Sequence, residues 1–138
     1  MRNYSMPRRT FPLPLVYLLG AIFLVHITAL VLGWYETISP IDIPLHISGG
    51  FWVGASGIWL YHFLRPSAQK RILIGILGGV IVAISIGFLW EVFEFYANAL
   101  LAQNHFNIGD ALGDMICDII GGAGGGWYIT RKISKIMI

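Results

Sequence analysis

The chain has 138 residues, 57% of them hydrophobic, and a mean hydropathy of +0.73, too apolar for an ordinary soluble domain and long enough for one folded unit. Its formal net charge is only +2. No basic run is interleaved with aromatics, so no nucleic-acid partner is expected and partners in the lipid are favoured.

In chain order, the first apolar run covers residues 12–34, preceded by Arg2, Arg8 and Arg9. It exceeds a secretory h-region of about 7–15 residues and has no convincing small-x-small cleavage site, so it is read as a retained first span. Three more segments follow at 43–64, 72–99 and 108–129, each near or above the ~20 residues that a hydrocarbon core requires. The second is amphipathic and the fourth rich in glycine and aspartate, so both need shielding by neighbouring helices. A re-entrant 108–129 is the competing arrangement. The expected fold is an all-α integral membrane protein, a single domain over 1–138 forming a compact bundle of four transmembrane helices.

Charge placement fits four crossings. Arg2, Arg8 and Arg9 precede span one, Arg65, Lys70 and Arg71 separate spans two and three, and Arg131, Lys132 and Lys135 follow span four. These are all the lysines and arginines, and four crossings put every one on the same side, which makes both termini cytoplasmic by the positive-inside rule. The expected topology is therefore multi-pass, with the basic end cytoplasmic. The acids cluster at the other end: Glu36 and Asp42 in the first outer loop, Glu91 and Glu94 near the end of span three, and Asp110, Asp114 and Asp118 at the start of span four. At 1.5 Å per residue Asp118 lies roughly 12 Å below Asp110, inside the membrane zone.

The three aspartates share one helix face by i, i+4 spacing, and Gly121, Gly122 and Gly125 continue it. Span three carries a stripe of Gly79, Ala83 and Gly87 leading to Glu91 and Glu94. Span two has His46 near the outside and Gly50, Gly54 and Gly57 beneath it. Stripes of small residues let helices approach closely, so the inner halves are expected to pack while the outer halves open into an acidic cup. The same glycine-rich faces also make a homo-oligomer an expectation.

Carboxylates in hydrocarbon must face water, a metal or a partner, or lose their charge. No lysine or arginine lies on that side, and His26, His46 and His105 are the protein's only local cationic candidates. Shared protons, a bound divalent cation and a cationic substrate group all remain open. Carboxylate oxygens suit magnesium, calcium or manganese, and adding His46 also suits zinc or iron. Asp42, Glu91, Glu94, Asp110, Asp114 and Asp118 are the metal-ligand candidates; Glu91, Asp114, Asp118 and His46 are the catalytic ones, a carboxylate or His46 polarising water.

Plainer roles compete. Asp110 serves equally as a helix cap, Asn107 is available as an N-cap or turn residue, and Asp42 with His46 reads as well as a cap beside an interfacial histidine. Glu94 reaches the interface, whereas Glu91 sits one turn deeper. His26 is expected to hydrogen-bond between helices, His105 to be a loop residue, and Trp34, Trp90 and Trp127 to anchor the interfaces. Cys117 is expected to be a packing residue.

Asp42-Ile-Pro-Leu-His46 resembles the Asp-Lys-x-x-His opening of VanZ-like membrane proteins. Glu91-x-x-Glu94 and Asp114-x-x-x-Asp118-x-x-Gly121 resemble their Glu-x-x-Gln and Asp-x-x-x-Asn-x-x-Gly elements. Trp90-Glu91-Val92-Phe93-Glu94 with Gly113-Asp114 is especially similar to small inner-membrane proteins of the YjdF type. The likeness covers about residues 42–126, and the family's lysine, glutamine and asparagine are Ile43, Glu94 and Asp118 here. It implies an envelope protein linked to lipoglycopeptide resistance, with a site more acidic than its relatives'. The functional expectation is metal-dependent processing of a lipid-linked phosphate or cell-wall component, with a membrane lipid or lipid-linked small molecule as partner. Cation or proton translocation, binding of a cationic compound and a purely structural membrane subunit are the alternatives.

Overall fold

A computed structural model describes residues 10–38, 41–100 and 107–136. Helices α1 (Leu13–Leu32), α3 (Asp42–Leu64), α4 (Ile72–Leu100) and α5 (Ile108–Ile136) form a bundle, with the single turn α2 (Trp34–Thr37) after α1. No strand occurs among the described residues. Pro14 sits in the first turn of α1, where its missing N–H breaks no helical bond. Gly33 ends α1: at φ 65° it is left-handed, and its N–H reaches the carbonyls of Ala29 and Leu30. The first apolar run is thus divided, and Trp34 belongs to α2 rather than to the span. Helix α3 stops at Leu64, before Arg65 and Pro66. Asn107 precedes helix α5 and caps it, its Oδ1 accepting the Gly109 N–H at 2.9 Å. It then continues unbroken past residue 129 to Ile136, a 29-residue rod about 43 Å long.

Helices α3, α4 and α5 meet backbone to backbone along the expected stripes. Gly50 and Gly54 of α3 lie on the backbones of Asp118 and Gly122, and a Cβ on Gly54 would stand 2.7 Å from the Gly122 carbonyl oxygen. On the other flank of α5, Gly122 abuts Gly79 and Ala83 of α4, while Gly126 abuts Gly75 and Gly79. Gly121 and Gly125 press on the α3 backbone at Ile47, Phe51 and Ala55. Gly57 departs from its stripe and faces Val82 of α4. Small residues on both faces permit this close van der Waals approach of the three backbones. The glycine faces expected to serve an oligomer are therefore occupied within the chain.

Helix α1 leans on α3 at the end where α1 begins. Leu15 is buried with Ala55, Ile58 and Ile129, Trp52 Nε1–H donates to the Leu15 carbonyl at 2.7 Å, and Phe11 lies edge-on to Trp59. That end also carries Arg65, Lys70, Arg71, Arg131 and Lys132; the acids of α3, α4 and α5 lie at the opposite end. Arg2, Arg8, Arg9 and His105 fall outside the described residues. By length and composition, α1 (Leu13–Leu32) and α4 (Ile72–Ala97) are apolar enough to cross a membrane; in α3 and α5 the polar residues and glycines dilute the pattern.

Candidate functional site

Asp42 opens α3, and no side chain caps that helix. Its carboxylate instead turns one helical turn inward, where Oδ1 lies 3.5 Å from His46 Nε2. Across the groove, Asp114 and Asp118 of α5 straddle the same imidazole: Asp114 Oδ2 lies 3.7 Å from Nε2, and Asp118 Oδ1 lies 3.4 Å from Nδ1. His46, Asp114 and Asp118 are all buried, with residue exposures of 9%, 7% and 6%. Glycine makes this approach available. Gly50 lets the α5 backbone come down beside His46, and Gly87 leaves room for the Asp118 carboxylate.

Two kinds of contact meet at the ring. Oxygens of Asp42 and Asp114 and a nitrogen of His46 all lie within 4.8 Å of one another. Ligands held about 2.1 Å from a tetrahedral ion are separated by about 3.4 Å, close to the 3.5 and 3.7 Å found around Nε2. On the far side of the ring, Asp118 is placed to accept Nδ1–H. In histidine metal sites a carboxylate in this position fixes the tautomer and orientation of the ring.

The other candidates separate. Glu94 lines the cavity beside the histidine and accepts a hydrogen bond from the Trp90 side chain. Glu91 is not on that wall; its Oε1 is buried without a hydrogen-bond partner among the described residues. Asp110 is exposed in the first turn of α5 and outside the Asp42–His46–Asp114 group, and the capping expected of it is done by Asn107. Cys117 is partly buried.

The cavity, about 270 Å³, lies among α1, α3 and α4. Asp42, His46, Asp118, Glu94, His26 and Tyr35 form its polar end; Leu19, Ile22, Phe23, Val53, Ala83 and Ile86 line the remainder. Sequence reasoning missed Tyr35 and assigned Trp90 to the interface. Because Gly33 turns the chain back, Tyr35 Oη reaches His26 Nδ1 at 2.6 Å. The His26 ring stands edge-on to both Tyr35 and Trp90, so its expected interhelical hydrogen bond runs to α2. Burial, with the negative charges of Asp42 and Glu94, pushes the Tyr35 phenol up to about 12; it stays protonated at neutral pH. A helix-stopping glycine two residues before a tyrosine was the signal available.

A helical chain that turns its carboxylates and glycines inward and apolar side chains outward has the make-up of a membrane protein. The family model described as "Predicted membrane protein (DUF2238)" matches residues 5–134, and the chain belongs to that family. No curated protein and no solved structure matches it.

Proposed function

We propose that this protein binds a divalent cation between Asp42, His46 and Asp114 and uses it on a lipid-linked phosphate or cell-wall component at the outer face of a bacterial inner membrane. The observation that carries the reading is the division of labour at His46: two carboxylates converge on Nε2 and a third on Nδ1. A histidine held only for packing needs one partner. Three carboxylates around one imidazole leave negative charge uncompensated, and the described lysines and arginines lie at the other end of the bundle. A cation from outside balances them.

In this reading all four long helices cross the membrane, α3 and α5 shielded by their glycine contacts, with the basic end cytoplasmic. When bound there, a divalent ion would supply Lewis acidity toward a phosphoryl oxygen and would acidify water. The chain supplies the rest. Asp118 holds the His46 ring, Asp42 and Asp114 neutralise the ion, and Glu94, on the cavity wall beside the histidine, is the carboxylate placed to accept a proton from water. The motif resemblance to VanZ-like and YjdF-type proteins supports an envelope role of this kind. Translocation is less favoured because the contacts of Gly54, Gly79 and Gly122 close the bundle directly beneath the site.

Isothermal calorimetry with zinc, manganese, magnesium and calcium on detergent-purified protein tests the ion. Saturable binding at one ion per chain, abolished in His46→Ala, is expected. Absence of binding for all four metals rejects the reading. Release of phosphate from a polyprenyl phosphate in proteoliposomes, dependent on the metal that binds, tests the chemistry.

A further inference from the structure

We infer that the cavity seats one hydrocarbon chain of an outer-leaflet lipid, admitted sideways between α1 and α4, with the lipid's phosphate headgroup at Asp42 and His46. The headgroup half of this inference rests on the cation reading above, since bare carboxylates repel phosphate; the chain half stands on the cavity alone.

The cavity is graded in polarity. Along α3 the wall passes from Asp42 and His46 to Val53, and along α4 from Glu94 down to Ala83. Both stretches cover about 16 Å at 1.5 Å per residue, roughly half of a ~30 Å hydrocarbon core. The polar end stands where headgroups sit, and the apolar end stops near mid-bilayer, so the cavity spans one leaflet. Its volume suits a chain. A cavity of about 150 Å³ takes a benzene ring, so 270 Å³ has room for about ten chain carbons by proportion.

The cavity is also open to one side. Leu19, Phe23 and Ile86 line the cavity, yet they are 43%, 65% and 46% exposed on the flank shared by α1 and α4. The two helices meet at the His26–Trp90 ring contact, near the polar end. Below it the apolar wall is continuous with the lipid-facing surface. Moving a chain from bilayer to cavity is close to neutral because both are hydrocarbon. The cavity therefore guides the lipid while the headgroup contact decides which lipid stays.

The test uses the purified full-length chain in phosphatidylcholine vesicles doped with a phosphatidic acid bearing a mid-chain diazirine. After photolysis, adducts are mapped by peptide mass spectrometry. Adducts are expected to concentrate on Leu19, Ile22, Val53 and Ile86. They should fall at least fivefold in Val53→Trp and in Ile22→Trp, relative to adducts on the lipid-facing Leu73 and Ile116. The two variants fill the cavity from different helices, so either one that elutes monodisperse and melts like the parent suffices. Labelling spread evenly over lipid-facing residues, or unchanged in a folded variant, overturns the chain seat. Equal cavity labelling by a matching diacylglycerol probe, which lacks the phosphate, overturns the phosphate preference. Cavity labelling by both probes without any metal binding in the calorimeter leaves the chain seat standing and sinks the cation reading; metal binding without cavity labelling does the reverse.

Discussion

The two halves of the α3–α4–α5 bundle use the same one-turn spacing for opposite ends. Toward the basic end, Gly50, Gly54, Gly79, Gly122 and Gly126 remove side chains so that backbones touch. Toward the acidic end, Asp42 with His46 and Asp114 with Asp118 place polar side chains in the space that the helices leave between them. The first half gains stability from contact. The second holds groups whose mutual repulsion and desolvation oppose folding, so it exists only because the first half is tight. Stability and function should therefore respond to different substitutions.

The largest effect is expected at the seam between the halves. Gly122→Leu places its Cβ on Ala83 and 2.7 Å from the Gly79 carbonyl oxygen, and such overpacking costs about 1–3 kcal/mol or more. Thermal melting in detergent should show a large fall in midpoint or no folded protein; a melting point like the parent's would break the division. On the acidic side, Asp114→Asn should lower divalent-cation affinity by more than the about 10–100-fold typical of an outer-shell change, without lowering the melting point. A parallel loss of stability would mean that the acidic half is structural after all.

Asp118→Asn should reduce metal affinity by about 10–100-fold, the usual effect of removing an outer carboxylate from a ligating histidine, with the protein still folded. Tyr35→Phe removes the hydrogen bond to His26 and should cost about 1 kcal/mol. The parent has a further signature. A phenol raised from 10.0 to about 12 in the folded protein binds a proton there more tightly than in the unfolded chain. Its stabilising contribution is complete below the unfolded value and is lost as pH rises from 10 to 12. Alkaline melting curves of Tyr35→Phe should lack that component. Smallest of all, exposed Asp110→Asn should stay within about 0.5 kcal/mol of the parent in stability and leave cation affinity unchanged.

Much of the bundle is legible from spacing because helical periodicity is rigid. Asp114 and Asp118, Asp42 and His46, and the glycine stripes each lie one turn apart, so sharing a face follows from geometry alone. The roles of Glu91 and Glu94 were harder to read. Three residues differ by about 60° around a helix, enough to put Glu94 on the cavity wall and leave Glu91 off it. Helix α1 gave least. Its side chains are apolar on every side, and Tyr17, Phe23, Leu24 and Val31 are all exposed, so no periodicity marks the face that meets the bundle. The Tyr35–His26 contact depends on a single left-handed glycine, whose direction no hydropathy pattern records.

The fastening of α1 has a mechanical consequence. Trp52 pins its carbonyl at Leu15, whereas near its other end the aromatic edges of His26, Tyr35 and Trp90 meet. The helix is thus a lever about 16 Å long between pivot and tip, and a swing of roughly 10° about Leu15 carries His26 about 3 Å. Such a swing changes the width of the lateral slot while Asp42, His46, Asp114 and Asp118, anchored in the other helices, keep their positions.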